Sequence, residues 1–375
     1  MFSIPRPGCV ATGKQGHAYV FDSSSGESYI FLGHLAGGAQ SIVQLVANIY
    51  TNEVVVRKVS KRRPLLTNGR SITDLPEDRE IRILDHLTSL AHNPINAVTG
   101  TPRWAPYIGH EDISLMSTWP RPAMVCSRVS YWKLCNGGSL VDWVRDWRMG
   151  PSENGPPQPF SLTPDEPCPF PISIAARCIA QVSETLHFMY NAGREAVYHG
   201  DLHLGNVFVH FGERSDGLPD FYLGDFGWAR TASEALADGL SLYGGGLSNA
   251  SLSGTNTDQD SPPSPPPGTA PPGQRRRWDM LRFSNSIKVM TQMVIPVTGP
   301  RSDEAKGLER LITMLQWLNE QEALLAASNP HSRPHSLVEF IREARKLERS
   351  ALLVEKNTEE FKNFIALGKK RPSRL

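Results

Sequence analysis

The chain has 375 residues, with 39 Lys and Arg against 38 Asp and Glu and a formal net charge of +1. That balance supplies no broad basic field for nucleic acid, and no apolar run approaches the roughly 20 residues a membrane helix requires. The 5 cysteines, odd in number and without C-x-x-C spacing, point to reduced thiols. Cys126, Cys135 and Cys178 lie in apolar contexts and read as packing residues, and the histidines show no ligand spacing with them. The opening residues Met1-Phe2-Ser3-Ile4-Pro5-Arg6-Pro7-Gly8 lack a signal-peptide core. An intracellular, cytoplasmic protein is therefore expected. The basic end, Lys369-Lys370-Arg371-Pro372-Ser373-Arg374, reads as a solvated tail with a nuclear address as the alternative.

In chain order, residues 25–133 read as strands plus one helix. Ile30 to Val43 is a glycine-bearing turn between apolar runs. Val54-Val55-Val56-Arg57-Lys58-Val59 is β-branched and predicts a strand. A helix is expected over about 76–90, because Ile81, Leu84 and Leu87 recur at helical spacing. At Tyr131-Trp132-Lys133-Leu134-Cys135-Asn136-Gly137-Gly138 a strand turns into a helix, with Ser139 as N-cap.

A Pro-rich insertion at about 150–171 precedes a strong amphipathic helix over 172–191. Its stripe is Ala175, Ile179, Val182, Leu186 and Met189, and Asn191-Ala192-Gly193 is expected to end it with a glycine cap. Val207-Phe208-Val209 and Phe221-Tyr222-Leu223 read as strands around a turn-rich tip at 212–217. Residues 243–277 are rich in Gly, Ser and Pro and bury too little apolar surface to offset the entropy of ordering, so disorder is expected. Helices follow from Trp278, over 307–325, from the S-x-x-E capping box at Ser336 to about 356, and over 361–367.

The most chemical stretch is Tyr198-His199-Gly200-Asp201-Leu202-His203-Leu204-Gly205-Asn206, followed by Leu223-Gly224-Asp225-Phe226-Gly227. A D-x-x-x-x-N loop can turn Asp201 and Asn206 into one cavity, and the hairpin between them would return Asp225 beside Asn206. One carboxylate would then accept the proton of an attacking hydroxyl. An amide oxygen and a second carboxylate would hold Mg²⁺, which prefers hard oxygen ligands, on nucleotide phosphates.

These residues resemble the catalytic and metal-binding loops of the protein-kinase-like superfamily. The H-G-D-L-H-x-x-N wording, with Gly200 where protein kinases carry arginine and His203 where lysine is common, is similar to aminoglycoside phosphotransferases and choline kinases. The resemblance implies an α+β, bilobal protein-kinase-like fold that uses ATP and Mg²⁺. It has a small mainly β N-lobe with one key helix, a larger mainly α C-lobe and a disordered insertion. On that frame the N-lobe spans 25–133, the first part of the C-lobe 134–230, the insertion 231–277 and the helical remainder 278–365.

The resemblance also assigns roles. Asp201 is the base, and Asn206 and Asp225 hold metal. Lys58 pairs with phosphates, and Glu80 orients Lys58, with Glu77 as fallback. Gly33, Gly38 and Val43 belong to the nucleotide-covering loop, although Ala36 and Ser41 stand at two of its three glycine positions. Leu134 and Cys135 sit in the hinge that meets the adenine edge, and Leu84 packs towards Phe226. Asp279 anchors the catalytic-loop backbone. No A-P-E follows the D-F-G, and without an arginine at position 200 switching by an activation-segment phosphate is not expected.

The favoured activity is serine/threonine protein kinase, with a protein substrate and neither nucleic acid nor membrane as partner. A small-molecule kinase and a catalytically weak pseudokinase binding module are the alternatives. Limited proteolysis should cut first within 243–277, read by mass spectrometry of the early fragments. First cleavage elsewhere would contradict the disorder expected there.

Overall fold

A computed structural model describes residues 20–23, 26–37, 41–60, 76–92, 101–117, 123–149, 171–212, 217–237, 272–292, 302–328 and 336–370. The molecule is mixed α and β. Six strands form one antiparallel sheet: β1 (Val20–Asp22), β2 (Ser28–Gly37), β3 (Ser41–Asn48), β4 (Val54–Ser60), β5 (Tyr107–Ser117) and β6 (Ala123–Lys133). Their order is β1-β2-β3-β4-β6-β5, so β4, the predicted β-branched strand, runs through the interior of the sheet.

The side-chain alternation of a strand decides what each face does. Val55 and Tyr131 join Tyr29, Val46 and Val129 in a small cluster on one face, where the Tyr29 and Tyr131 rings stack at 5.1 Å. Their neighbours Val56 and Trp132 turn the other way, into the main core. Lys58 has the parity of Val56 and so faces the main core as well. Helix α1 (Pro76–Ala91) covers that face through Ile83, Leu84 and Leu87. Pro76 at its first position suits a helix start, because the missing N–H has no intrahelical partner there.

The rest of the chain is mainly helical. After β6, the short strand β7 (Gly138–Ser139) leads into α2 (Leu140–Met149). Ser139 accepts the Asp142 N–H at 3.3 Å and donates to the Asp142 carboxylate at 2.6 Å, which is the predicted cap. Then come α3 (Ile172–Asn191), β8 (Val197–Tyr198), β9 (Val207–His210), β10 (Asp220–Leu223), β11 (Arg230–Thr231) and α4 (Ala232–Ala237). Helices α5 (Pro272–Gln292), α6 (Asp303–Ser328), α7 (Ser336–Glu355) and α8 (Glu359–Lys370) complete it. Strands β9 and β10 form the predicted hairpin, with Val207 opposite Leu223, and β7 pairs with β9. Trp143 of α2 packs against Phe211, Phe221 and Phe364, so the last helix is tied into the centre.

Several expectations change. Helix α3 keeps its predicted span but is buried on every side from Ser173 to Tyr190, not along one stripe. Its two charged residues, Arg177 and Glu184, meet opposite charges on other elements. Arg177 donates to Asp220 at 2.8 Å, to Glu348 at 2.9 Å and to the Pro219 carbonyl at 2.7 Å. Arg345 makes a two-pronged contact with Glu184 at 2.8 and 2.7 Å and a third bond to Glu348. Arg103 lies 3.5 Å from Glu184 and 3.8 Å from Asp220. Three guanidiniums thus face three carboxylates, which is what permits charge inside a helical core.

The end of α3 also differs. No left-handed glycine closes it: Ala192 stays helical and its N–H reaches the Phe188 carbonyl. Gly193 instead lets the chain pass Leu90 and Glu195, where an added Cβ would sit 3.1 and 3.2 Å from the nearest atoms.

The expected insertion is shorter at both ends, because 231–237 form β11 and α4 and because α5 begins at Pro272. Residues 238–271, the hairpin tip 213–216 and most of the Pro-rich segment, 150–170, lie outside the described residues. Cys135 and Cys178 are buried free thiols, while the Cys126 side chain lies outside the described residues. Among those residues no helix is long and apolar enough to cross a membrane.

The ionic cluster sets an acid response. Burial pushes the Asp220 carboxyl up, but hydrogen bonds from Gln181 and Arg177 and the charges of Arg103 and Arg177 more than reverse this, so its pKa lies below the ordinary value. A depressed folded pKa gives stability that is present above the unfolded pKa, about 3.9, and is lost as pH falls through the folded value. Denaturant melts across pH should show wild type losing stability below about pH 4. Asp220→Asn should be weaker at neutral pH with a shallower acid limb. Equal acid limbs would discard this account.

Candidate functional site

The site forms where α1, the sheet and the β9–β10 hairpin meet. Lys58 on β4 reaches Glu80 on α1 at 2.7 Å and Asp225, just past β10, at 3.1 Å. Glu80 is 3% exposed and uses both oxygens: Oε2 takes Lys58, and Oε1 accepts the Phe226 N–H at 3.0 Å. Burial alone would lower the Lys58 pKa. The Glu80 and Asp225 carboxylates outweigh it and hold the ammonium above its ordinary value, so it stays charged. Next to Glu80, Arg79 donates to the Gly227 carbonyl at 3.0 Å. Leu84 and Phe226 are both fully buried in the same core. Asp225 itself is left-handed, with φ 59°, and its side chain is 46% exposed.

The 199–206 loop is built around two buried groups. Asp279 of α5 accepts the His199 N–H at 2.7 Å and the Gly200 N–H at 2.9 Å, the anchoring role expected of it. The His199 ring lies 3.0 Å from the Gly224 carbonyl through Nε2, and its Nδ1 accepts the Asp201 N–H at 3.3 Å. That pairing requires the proton on Nε2, and burial lowers the ring's pKa, so the imidazole is neutral. It ties the loop to the residue before Asp225.

Asn206 completes the join. Its side-chain amide nitrogen donates to the Asp201 carbonyl at 2.8 Å and lies 3.4 Å from Asp201 Oδ2, while the Asn206 main-chain carbonyl accepts the Gly224 N–H at 2.9 Å. Both Asp201 atoms are acceptors only, which fixes the amide orientation: nitrogen towards Asp201, oxygen away from it. Burial raises the Asp201 pKa, but His203 and the Arg282 guanidinium beside the carboxylate lower it more, so the net shift is downward and the carboxylate is ionised at neutral pH. His203 accepts the Gly205 N–H on Nδ1, which leaves Nε2 facing Asp201 at 3.6 Å. Arg282 of α5 donates to Asp201 Oδ1 at 2.6 Å.

Asp201, Asn206, Asp225, Lys58 and Glu80 thus form one connected set. Among the positions expected in a nucleotide-covering loop, Val43 is directly opposite Lys58 in the sheet and shares its face. Gly33 lies within β2, opposite Leu45 and beside a register shift, away from the tip between Gly37 and Ser41. Gly38 lies outside the described residues. Leu134 is half-buried. Cys135 is buried, its thiol pushed up to about 12 by desolvation, and its carbonyl accepts the Gly138 N–H in a tight turn.

Sequence reasoning missed three contributors. Asn136 pins the turn after β6 by exchanging hydrogen bonds with the Phe211 backbone at 2.9 and 2.7 Å. Arg79 and Arg282 hold the two acidic loops. All three act across 75 to 148 residues, and a lone polar side chain in a helix or turn carries no local signal of such a partner.

Asn206 and Asp225 fit Mg²⁺ by donor chemistry. One offers a neutral and the other an anionic hard oxygen, a pair suited to an ion that takes one or two protein ligands and fills its octahedron from phosphate and water.

The chain matches no protein-family model, and no curated protein matches it significantly.

Gly200 explains why this position carries no arginine. It sits at φ 78°, and a Cβ there would lie 2.6 Å from the Trp228 carbonyl oxygen. Gly200→Ala should therefore cost about 2–5 kcal/mol, the sum of a left-handed Cβ penalty and a steric clash. Denaturant unfolding checks it, and a loss below about 1 kcal/mol would contradict the geometry.

Proposed function

We propose that this chain is an ATP-dependent phosphotransferase with a bilobal protein-kinase-like fold. The six-stranded sheet with α1 is one lobe, and α2 to α8 with the short strands make the other. The acceptor is a serine or threonine hydroxyl on a protein. One observation carries the reading: Lys58 and Asp225 stand 167 residues apart in sequence and 3.1 Å apart in space, on a network that continues through Gly224 and Asn206 to Asp201. Chance loop motifs have no reason to converge in this way.

Each residue then has a task. Lys58, kept protonated by Glu80, holds phosphate oxygens. Asn206 and Asp225 hold magnesium, which when bound neutralises charge on the phosphates. Asp201 is ionised, as a proton acceptor must be, and takes the proton of the attacking hydroxyl. Because the transferring group needs little covalent help, positioning and charge neutralisation do most of the catalytic work.

The G-G-S-L turn and the D-F-G form favour a protein acceptor. A small-molecule acceptor is the second reading. It is favoured by Gly200, whose conformation suits the H-G-D wording and leaves no room for an arginine.

The test is transfer of labelled γ-phosphate from ATP and Mg²⁺ to mixed pools of peptides and small alcohols. Label on Ser or Thr peptides is the expected result. Transfer to small alcohols alone would replace the first reading by the second, and no transfer to any acceptor would overturn both. Asp201→Asn should lower kcat by roughly 10²–10⁴, the range for removing a general base. An unchanged kcat in that variant would remove Asp201 from the mechanism.

A further inference from the structure

We propose that Arg282 is a positioning residue for phosphotransfer: its guanidinium fixes one oxygen of Asp201 so that the other is presented to the acceptor hydroxyl. The inference rests on the reading of Asp201 as the proton acceptor. Helix α5 carries Asp279 and Arg282 three residues apart, hence on one face. Asp279 takes the backbone N–H groups of His199 and Gly200, and Arg282 takes the side chain of the next residue, Asp201, at 2.6 Å. One helix therefore grips three successive residues of the loop, the main chain through an acid and the functional carboxylate through a base.

The two oxygens of Asp201 are not equivalent. Oδ1 is engaged by a short charge-assisted bond to Arg282. Oδ2 has weaker company, Asn206 Nδ2 at 3.4 Å and His203 Nε2 at 3.6 Å. Asp201 and Arg282 are 29% and 23% exposed, so the pair lines an accessible wall of the site. A carboxylate free to rotate would offer either oxygen in many directions. Anchored at Oδ1, it offers Oδ2 in one. The catalytic loop carries no Lys or Arg of its own, since Gly200 and His203 occupy the places where a cation would stand, and α5 delivers one from 81 residues away.

The experiment compares wild type, Arg282→Lys, Arg282→Met and Arg282→Ala in phosphotransfer kinetics and in crystal structures. Arg282→Met keeps the apolar stem, which separates a packing defect from loss of the charge. Arg282→Ala and Arg282→Met should lower kcat by roughly 10²-fold, the effect of misplacing a reacting group by an ångström. KM for ATP should stay within about twofold, because the interaction serves the reacting geometry and not nucleotide binding. Arg282→Lys should recover to within about tenfold of wild type, limited by its lack of a planar fork.

In the crystals the Asp201 carboxylate should turn or split in the Ala and Met variants and keep its setting in the Lys variant. An unmoved Asp201 in both neutral variants overturns the inference whatever the rates. A raised kcat in them also overturns it, since the guanidinium would then be blocking the base. If wild type transfers no phosphate to any acceptor while Asp201 turns in the neutral variants, the positioning stands and the phosphotransfer reading falls.

Discussion

The Glu80 carboxylate is the contact on which the rest of the site depends. Its two oxygens serve two different segments, the Lys58 ammonium from the sheet and the Phe226 N–H from the loop after β10. Since Glu80 itself is rooted in α1, one side chain ties together sheet, helix and hairpin. The arrangement is electrostatically demanding, because a nearly buried carboxylate without a partner would be driven to the neutral form. Burial pushes the Glu80 carboxyl up and Lys58 offsets part of that rise, while Lys58 in turn is held charged by having two carboxylates beside it. Removing one member of such a buried pair costs about 3–5 kcal/mol, far more than an exposed pair contributes. Stability and site geometry are therefore the same constraint here: the fold cannot relax Lys58 away from Glu80 without leaving a buried carboxylate unpaired.

A second constraint comes from α5. The loop at 199–206 has little regular structure, and a buried irregular backbone needs partners for its N–H groups. Asp279 supplies them to two consecutive residues, His199 links the loop to Gly224, and Asn206 closes the same connection from the other end. The catalytic-loop candidates are thus held from below by a helix and from the side by a hairpin. The Arg103, Arg177 and Arg345 cluster does comparable work for the hairpin, since Asp220 at the start of β10 is bonded to two residues of α3. Charge buried under the hairpin fixes where β10 begins, and β10 fixes where Asp225 ends up.

The parts of this that could be read from sequence are the parts with local causes. The strand at 54–60, the span of α3, the β9–β10 hairpin and the Ser139 cap follow from β-branching, helical spacing, turn residues and a short capping pattern. Lys58, Glu80, Asn206 and Asp225 were identifiable because a motif carries their order, and the structure brings them into one network. What was misread has non-local causes. Gly193 looked like a helix cap, but it is a close-approach residue beside Leu90, which no feature of Asn191-Ala192-Gly193 reveals. Helix α3 reads as amphipathic with one apolar stripe, because the charges that let Arg177 and Glu184 be buried lie on α7, β10 and the segment before β5. Gly33 looked like part of a phosphate-covering tip, yet the register shifts between Phe31 and Ala36 place it inside β2.

Asp225 shows how these constraints act together. A non-glycine residue in the left-handed region carries a cost of about 1–3 kcal/mol and persists only where its surroundings over-determine it. Here four backbone groups that flank the turn are held. The Gly224 N–H goes to Asn206 and the Gly224 carbonyl to His199; the Phe226 N–H goes to Glu80 and the Gly227 carbonyl to Arg79. Four side chains or backbone groups from two separate segments, the 199–206 loop and α1, thus fix the three residues around the strained one. The extended backbone of β10 alternates its side chains across the sheet, and a residue continuing it would do the same. The left-handed turn breaks that alternation and sends the Asp225 carboxylate to Lys58. The strain is the means by which an exposed carboxylate is aimed, and the energy to sustain it comes from hydrogen bonds that also hold the remaining members of the site.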